Sequence, residues 1–224
     1  PLLGLTITLL AYQAAFWLYR RSGMNPLANP VLIAVTILVL FLTLTATSYE
    51  TYFAGAQFVH FLLGPATVAL AVPLYTQFRR VRSLLLPVLA GLVAGSLTAA
   101  LSAIAVARLF GASLPTQLSL APKSVTTPIA MGIAERIGGI PSLTAVLVIV
   151  TGILGAVGAR YVFDASKVHD PAIRGFAIGV AAPGIGAARA FQVSEQAGAF
   201  AALAMGLNGA LTALLLPLVL GWLG

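Results

Sequence analysis

Six long stretches of this chain contain no Asp, Glu, Lys or Arg, and that spacing of charge limits the fold more than any motif does. They are Pro1–Tyr19 (19 residues), Ser22–Tyr49 (28), Thr51–Phe78 (28), Ser83–Ala107 (25), Ile137–Ala159 (23) and Gln196–Gly224 (29). About 20 apolar residues in a helix cross the roughly 30 Å hydrocarbon layer of a bilayer. Each stretch is long enough, so six crossings are expected.

Two further runs are different. Leu109–Pro122 and Gly175–Ala188 have 14 residues each, about 21 Å as helix, too short to cross. Lys123 closes the first and Arg189 the second, after which the sequence continues apolar through Ser124–Ala134 and Ala190–Ser194. Such segments either cross with a charge at membrane depth or dip in and return. Both options place a polar group where lipid penalises it unless protein or water surrounds it. Snorkelling to an interface is an equal reading for Arg189. The expected fold is therefore an all-α polytopic membrane protein, with seven or eight hydrophobic segments and two interrupted helices.

Composition narrows the class. Of 224 residues 60% are hydrophobic and 17 are charged, 12 Lys or Arg against 5 Asp or Glu. A soluble domain carries about 25% charge, so a water-soluble enzyme and a disordered chain are both excluded. The absence of cysteine removes disulfides, thiolate catalysis and cysteine metal sites. The net charge of +7 is dispersed between apolar runs rather than gathered on a nucleic-acid face. The five carboxylates lie near span ends, and no phosphate-binding loop, zinc spacing or catalytic triad appears. No enzymatic activity, cofactor or metal is expected. A chain starting at Pro1 rather than Met is expected to lack its natural N-terminus.

Loop cations set the orientation. Arg20-Arg21 and Arg79-Arg80-x-Arg82 mark cytoplasmic loops. The loop holding Arg160, Lys167 and Arg174 with Asp164 and Asp170 joins that side only if the Lys123 segment is re-entrant.

The interruptions carry the chemistry. Pro122 and Pro128 bracket Lys123-Ser124-Val125-Thr126-Thr127, and proline both removes a helical hydrogen bond and disfavours helix before it. Thr127-Pro128 reads as a new helix start, with Thr127 at the N-cap. A helix N-terminus presents free N–H groups and partial positive charge to an anion. Lys123, Ser124 and Thr126 add a full charge and two hydroxyls. The second break, Ala182-Pro183-Gly184-Ile185-Gly186-Ala187-Ala188-Arg189, matches the first through its Ala-Pro, at an offset of 61 residues. That suggests an internal repeat with halves near 58–136 and 139–224, parallel or inverted, and paired broken helices point to a midplane transporter site. Gly91-x-x-x-Gly95, Gly152-x-x-Gly155-x-x-Gly158 and Gly206-x-x-Gly209 read as close helix packing. Gly64-Pro65 reads as a kink, and His60 and Asn208 read as packing residues.

At these interruptions the chain resembles the LrgB/CidB family of bacterial inner-membrane proteins, which includes the YohK-like proteins. The matching text is Pro65-Ala66-x-Val68-Ala69-Leu70-Ala71-x-Pro73-Leu74-Tyr75, the string Pro122-Lys123-Ser124-Val125-Thr126-Thr127-Pro128-Ile129-Ala130-Met131, Gly138-Gly139-Ile140-Pro141 with Gly152-Ile153-Leu154-Gly155-Ala156, and Gly186-x-Ala188-Arg189 with Gly198-Ala199-Phe200. The resemblance implies one LrgB-like transmembrane domain over 1–224, multi-pass in the inner (plasma) membrane, homo-oligomeric, and working with a small LrgA/CidA-type partner. It implies one of two activities. Relatives, including a plastid inner-envelope protein, carry glycolate, glycerate or pyruvate. Others are antiholin-like regulators of murein hydrolase export and lysis. A lone cation, hydroxyls and a helix N-terminus suit a small monocarboxylate, so passive or ion-coupled transport is the leading expectation and regulation without transport the alternative. Lys123, Ser124, Thr126 and Thr127 form one wall of the expected site, and Gly184, Gly186 and Arg189 the other. The chain departs from the family at 182–188, where Ser-His-x-x-Gly-Thr-Ala is replaced by Ala-Pro-Gly-Ile-Gly-Ala-Ala.

Overall fold

The computed structural model describes residues 2–62, 65, 68, 69 and 71–221. Everything described is helix or short connection, and the contacts gather into two units, Pro1–Ala71 and Val72–Gly224.

In the first unit α1 (Leu2–Arg21) packs against α2 (Pro30–Leu44) and α3 (Tyr49–Phe61). Gly4 leaves room for the backbone of Tyr52, and Thr8 Oγ1 lies 2.7 Å from the Tyr52 hydroxyl. Arg20 and Arg21 end α1 by lying over Phe16 (5.2 Å) and Trp17 (4.7 Å), which suits an interfacial helix end. The charge-free runs 22–49 and 51–78 are expected as crossings, yet the helices within them are shorter. Asn29 accepts from Val31 N and Leu32 N, so α2 begins at Pro30 and has 15 residues. α3 has 13. The expected kink at Gly64-Pro65 falls partly outside the described residues, as does the His60 side chain. Four described helices are long and apolar enough to cross a membrane: α1 and three in the second unit.

The second unit continues with α4 (Ala71–Thr76), α5 (Phe78–Ser83) and α6 (Leu85–Leu109), then α7 (Leu114–Leu120), α8 (Thr127–Ile137), α9 (Pro141–Ala165), α10 (Pro171–Ala181), α11 (Ile185–Val193) and α12 (Glu195–Gly221). The short helices fold as two hairpins, α7–α8 and α10–α11. α8 returns to the level of α7, because Ile140 N donates to Ser119 Oγ at 2.7 Å and Thr144 Oγ1 donates to Ser119 O at 3.0 Å. Had α7 and α8 continued in one direction, about 20 Å or more of chain would separate these residues.

The second hairpin is fixed by small residues. A Cβ on Gly175 or Gly179 would strike the backbone of Ala197 or Ala201, so α10 lies parallel to α12 at backbone contact. α11 runs back beside α12, with Gly184 N 3.2 Å from Met205 Sδ and Ala187 and Ala190 against Ala197 and Ala201.

One ion pair orders the ends. The Arg80 guanidinium meets the Asp170 carboxylate at 2.7 Å, and the Gln196 amide, with its oxygen assigned to the side that faces Arg80, accepts from it at 3.0 and 3.1 Å. The starts of α6, α10 and α12 therefore share one end. α6 and α9 have 25 residues each, about 37 Å, and carry the chain away from that end and back. The α7–α8 hairpin thus enters and leaves at the opposite end from the α10–α11 hairpin. The loop with Arg160, Lys167 and Arg174 lies at the Arg79–Arg82 end, as a re-entrant Lys123 segment requires.

Candidate functional site

The first hairpin turns at residues 121–126, where Lys123 N bonds Leu120 O and Val125 N bonds Pro122 O, both at 3.2 Å. Ala121, Pro122, Ser124 and Val125 are buried, while Lys123 is half-buried. Its ammonium donates to Ser124 Oγ at 3.3 Å. Among the described residues no carboxylate pairs with it, although an ammonium at membrane depth calls for a counter-charge.

α8 begins one residue earlier than Thr127-Pro128 suggests. Thr126 is the N-cap (ψ 147°), Thr127 the first helical residue and Pro128 the second. The N-cap follows ψ, and the extended residue is Thr126. Its hydroxyl makes no capping bond, so the α8 N-terminus keeps N–H groups for another acceptor.

The second hairpin turns at Ala182-Pro183-Gly184. Gly184 has φ +70°, a conformation that only glycine adopts without strain. The departure at 182–188 therefore places a tight glycine turn at the tip. α11 starts there, with Gly184 at its N-cap and no side-chain cap. Gly184 is exposed and Gly186 is buried against Ile178 and Ala182. Arg189 lies a turn and a half along α11, where NH1 donates to Gln192 Oε1 at 3.2 Å. The structure thus brings Lys123, Ser124, Thr126 and Thr127 together at one tip and Gly184 and Gly186 at the other, with Arg189 set back from the turn.

The residue that joins the two tips was expected only to fill space. Asn208 stands midway along α12 and is 1% exposed. Its Nδ2 donates to Ser124 O of the first hairpin at 2.8 Å and to Val180 O of the second at 3.1 Å. Thr212 Oγ1 approaches Asn208 Oδ1 at 3.5 Å and Ser96 Oγ at 3.3 Å. The first half of α12 packs against the second hairpin through Ala197, Ala201 and Met205. The second half packs against the first hairpin through Gly209, Ala213 and Leu216. An amide in an apolar helix demands partners, and that is the signal sequence reading had available.

The arrangement sorts the backbone dipoles. The C-termini of α7 and α10 and the N-termini of α8 and α11 all end at the tips. Asn208 takes one carbonyl from the first turn, Ser124 O, and one from the last turn of α10, Val180 O, while the N–H ends of α8 and α11 start beside the Lys123 turn and Gly184. An anion with hydrogen-bond acceptors suits the second group. No group of three or more His, Asp or Glu that could hold a metal occurs among the described residues.

Comparison with known proteins agrees over nearly the whole chain. The LrgB-like family profile matches residues 8–222. YxaC of Bacillus subtilis (strain 168) is 35% identical over 217 residues, covering 97% of this chain and 94% of that protein. YwbG of the same strain is 33% identical over 222 residues, covering 99% and 98%. The antiholin-like protein LrgB of Bacillus cereus (strain B4264) is 30% identical over 225 residues, covering 100% and 97%. No solved structure matches the chain. With the conserved-length match and the family profile in agreement, the chain belongs to the LrgB-like family.

Proposed function

We propose that this protein serves the antiholin-like role for which its Bacillus cereus relatives are named, and that its molecular act is the movement of a small monocarboxylate through the site at the two hairpin tips. The two halves of this reading have different support. The names of the relatives favour the regulatory role over transport. The geometry supports the transport step, and one observation carries it: Lys123 sits at a re-entrant tip without an acidic partner among the described residues, in the turn that leads to the α8 N-terminus, which has no side-chain cap. A carboxylate would neutralise the ammonium and accept from the hydroxyls of Ser124, Thr126 and Thr127 and from the first N–H groups of α8 and α11. Gly184 N and Gly186 N, already donating to Met205 Sδ and Ala182 O, would shape that wall rather than bond the anion. Arg189, bonded to Gln192, would attract anions toward the site rather than contact them.

The hairpin-and-helix segments 114–165 and 171–221 enter from opposite ends. That relation supports an inverted internal repeat, a build that suits alternating access around a fixed midplane site. A multi-pass location in the inner membrane, a homo-oligomer and an LrgA/CidA-type partner complete the proposal.

Uptake of glycolate or pyruvate into proteoliposomes tests the transport half. Lys123→Ala is expected to cut the initial rate at least tenfold, and an unchanged rate would overturn it. In the regulatory reading without transport, Lys123 is dispensable and the wild-type protein moves no carboxylate.

A further inference from the structure

We infer that Asn208 is a positioning residue that ties both hairpin tips to one point of α12, and so sets how the N-termini of α8 and α11 face each other. The inference rests on reading the tips as the transport site, and it extends that reading to a residue outside either hairpin. A carboxamide nitrogen has two hydrogens, and here each is used on a different hairpin, at Ser124 O and Val180 O, 84 and 28 residues away in sequence. The Thr212 hydroxyl stands at the amide oxygen, which fixes which way the amide faces. The acceptors lie close to the anion-facing groups. Ser124 also holds the Lys123 ammonium, and Val180 precedes the Gly184 turn by four residues.

The other attachments of the hairpins are of another kind. Ser119 pins the first hairpin to α9 near the end where the chain leaves it. The second rests on α12 by glycine and alanine contacts and by the Gly184 N–H on Met205 Sδ, a weak acceptor on a flexible side chain. Among the described residues Asn208 is the side chain that bonds both tips. A rigid-body shift of either hairpin along α12 must break one of its two bonds. While both hold, the separation of the two N-termini is fixed, and a site built to grip one small anion depends on that separation.

The absence of cysteine makes the test direct. Spin labels at Met131→Cys on α8 and Ala188→Cys on α11, both exposed positions, report the distance between the hairpins in the reconstituted full-length protein. With Asn208 a single narrow distribution is expected. Asn208→Leu keeps the bulk and removes both donors, and is expected to widen the distribution at least twofold. Asn208→Asp keeps the shape and cannot supply two N–H groups, so it serves if the leucine variant does not fold. Where the wild type takes up glycolate, the same variants are expected to raise KM at least tenfold with a smaller change in kcat. An unchanged width or an unchanged KM overturns the inference. If the wild type takes up no carboxylate, the transport reading falls, and the width alone still decides whether Asn208 positions the tips.

Discussion

The two most informative side chains are a cation without a carboxylate and an amide without a spare hydrogen. Lys123 shares its proton donors with Ser124 alone among described partners, so its removal should alter ligand binding far more than folding. Gly184 is the opposite case. With φ at +70°, a β-branched residue there is strained by about 1–3 kcal/mol. Gly184→Val is therefore expected to lower the thermal midpoint by several degrees, read by a thermal melt in detergent, and an unchanged midpoint would mean that the tip is not held in this turn. Lys123 was legible in the sequence because a charge between apolar runs is conspicuous. Asn208 was not, because its partners are backbone carbonyls far along the chain, and every residue has a carbonyl.

Among the elements, the broken helices were readable and their direction was not. Proline on both sides of 123–127 disfavours continuous helix, and Pro183 followed by a glycine does the same in the second segment. Whether the chain then continues or doubles back depends on contacts such as Ser119 with Ile140 and Arg80 with Asp170, which no local pattern encodes. The shortening of α2 was within reach, since Asn29-Pro30 is a helix start; a count of uncharged residues overlooks such caps. Cysteine accessibility checks the doubling back. Single cysteines at Ser113 and Ile140 are expected to react from one side of the membrane, and those at His169 and Glu195 from the other. Reaction of 113 and 140 from opposite sides would make the first hairpin a crossing.

For the molecule as a whole, the family and the helical membrane class follow together from sequence, structure and relatives, the profile extending over 8–222. The activity divides along a different line. The relatives carry a regulatory name, whereas the second unit has the parts of a carrier: two opposed hairpins, their tips held at the middle of α12, and at one tip Lys123, with no carboxylate paired to it among the described residues. A regulator acting only through a partner surface has no use for a ligand at that point. A ligand that binds the folded state alone stabilises it by RT ln(1 + [L]/Kd), about 2.7 kcal/mol at a hundredfold excess over Kd.

Thermal melts of purified wild-type protein and Lys123→Ala, each with and without millimolar glycolate, glycerate or pyruvate, test the site most directly. A rise in the midpoint by several degrees for the wild type with at least one of these acids, and none for Lys123→Ala, is the predicted result. No rise in the wild type, or an equal rise in both proteins, would contradict a carboxylate site at the hairpin tips.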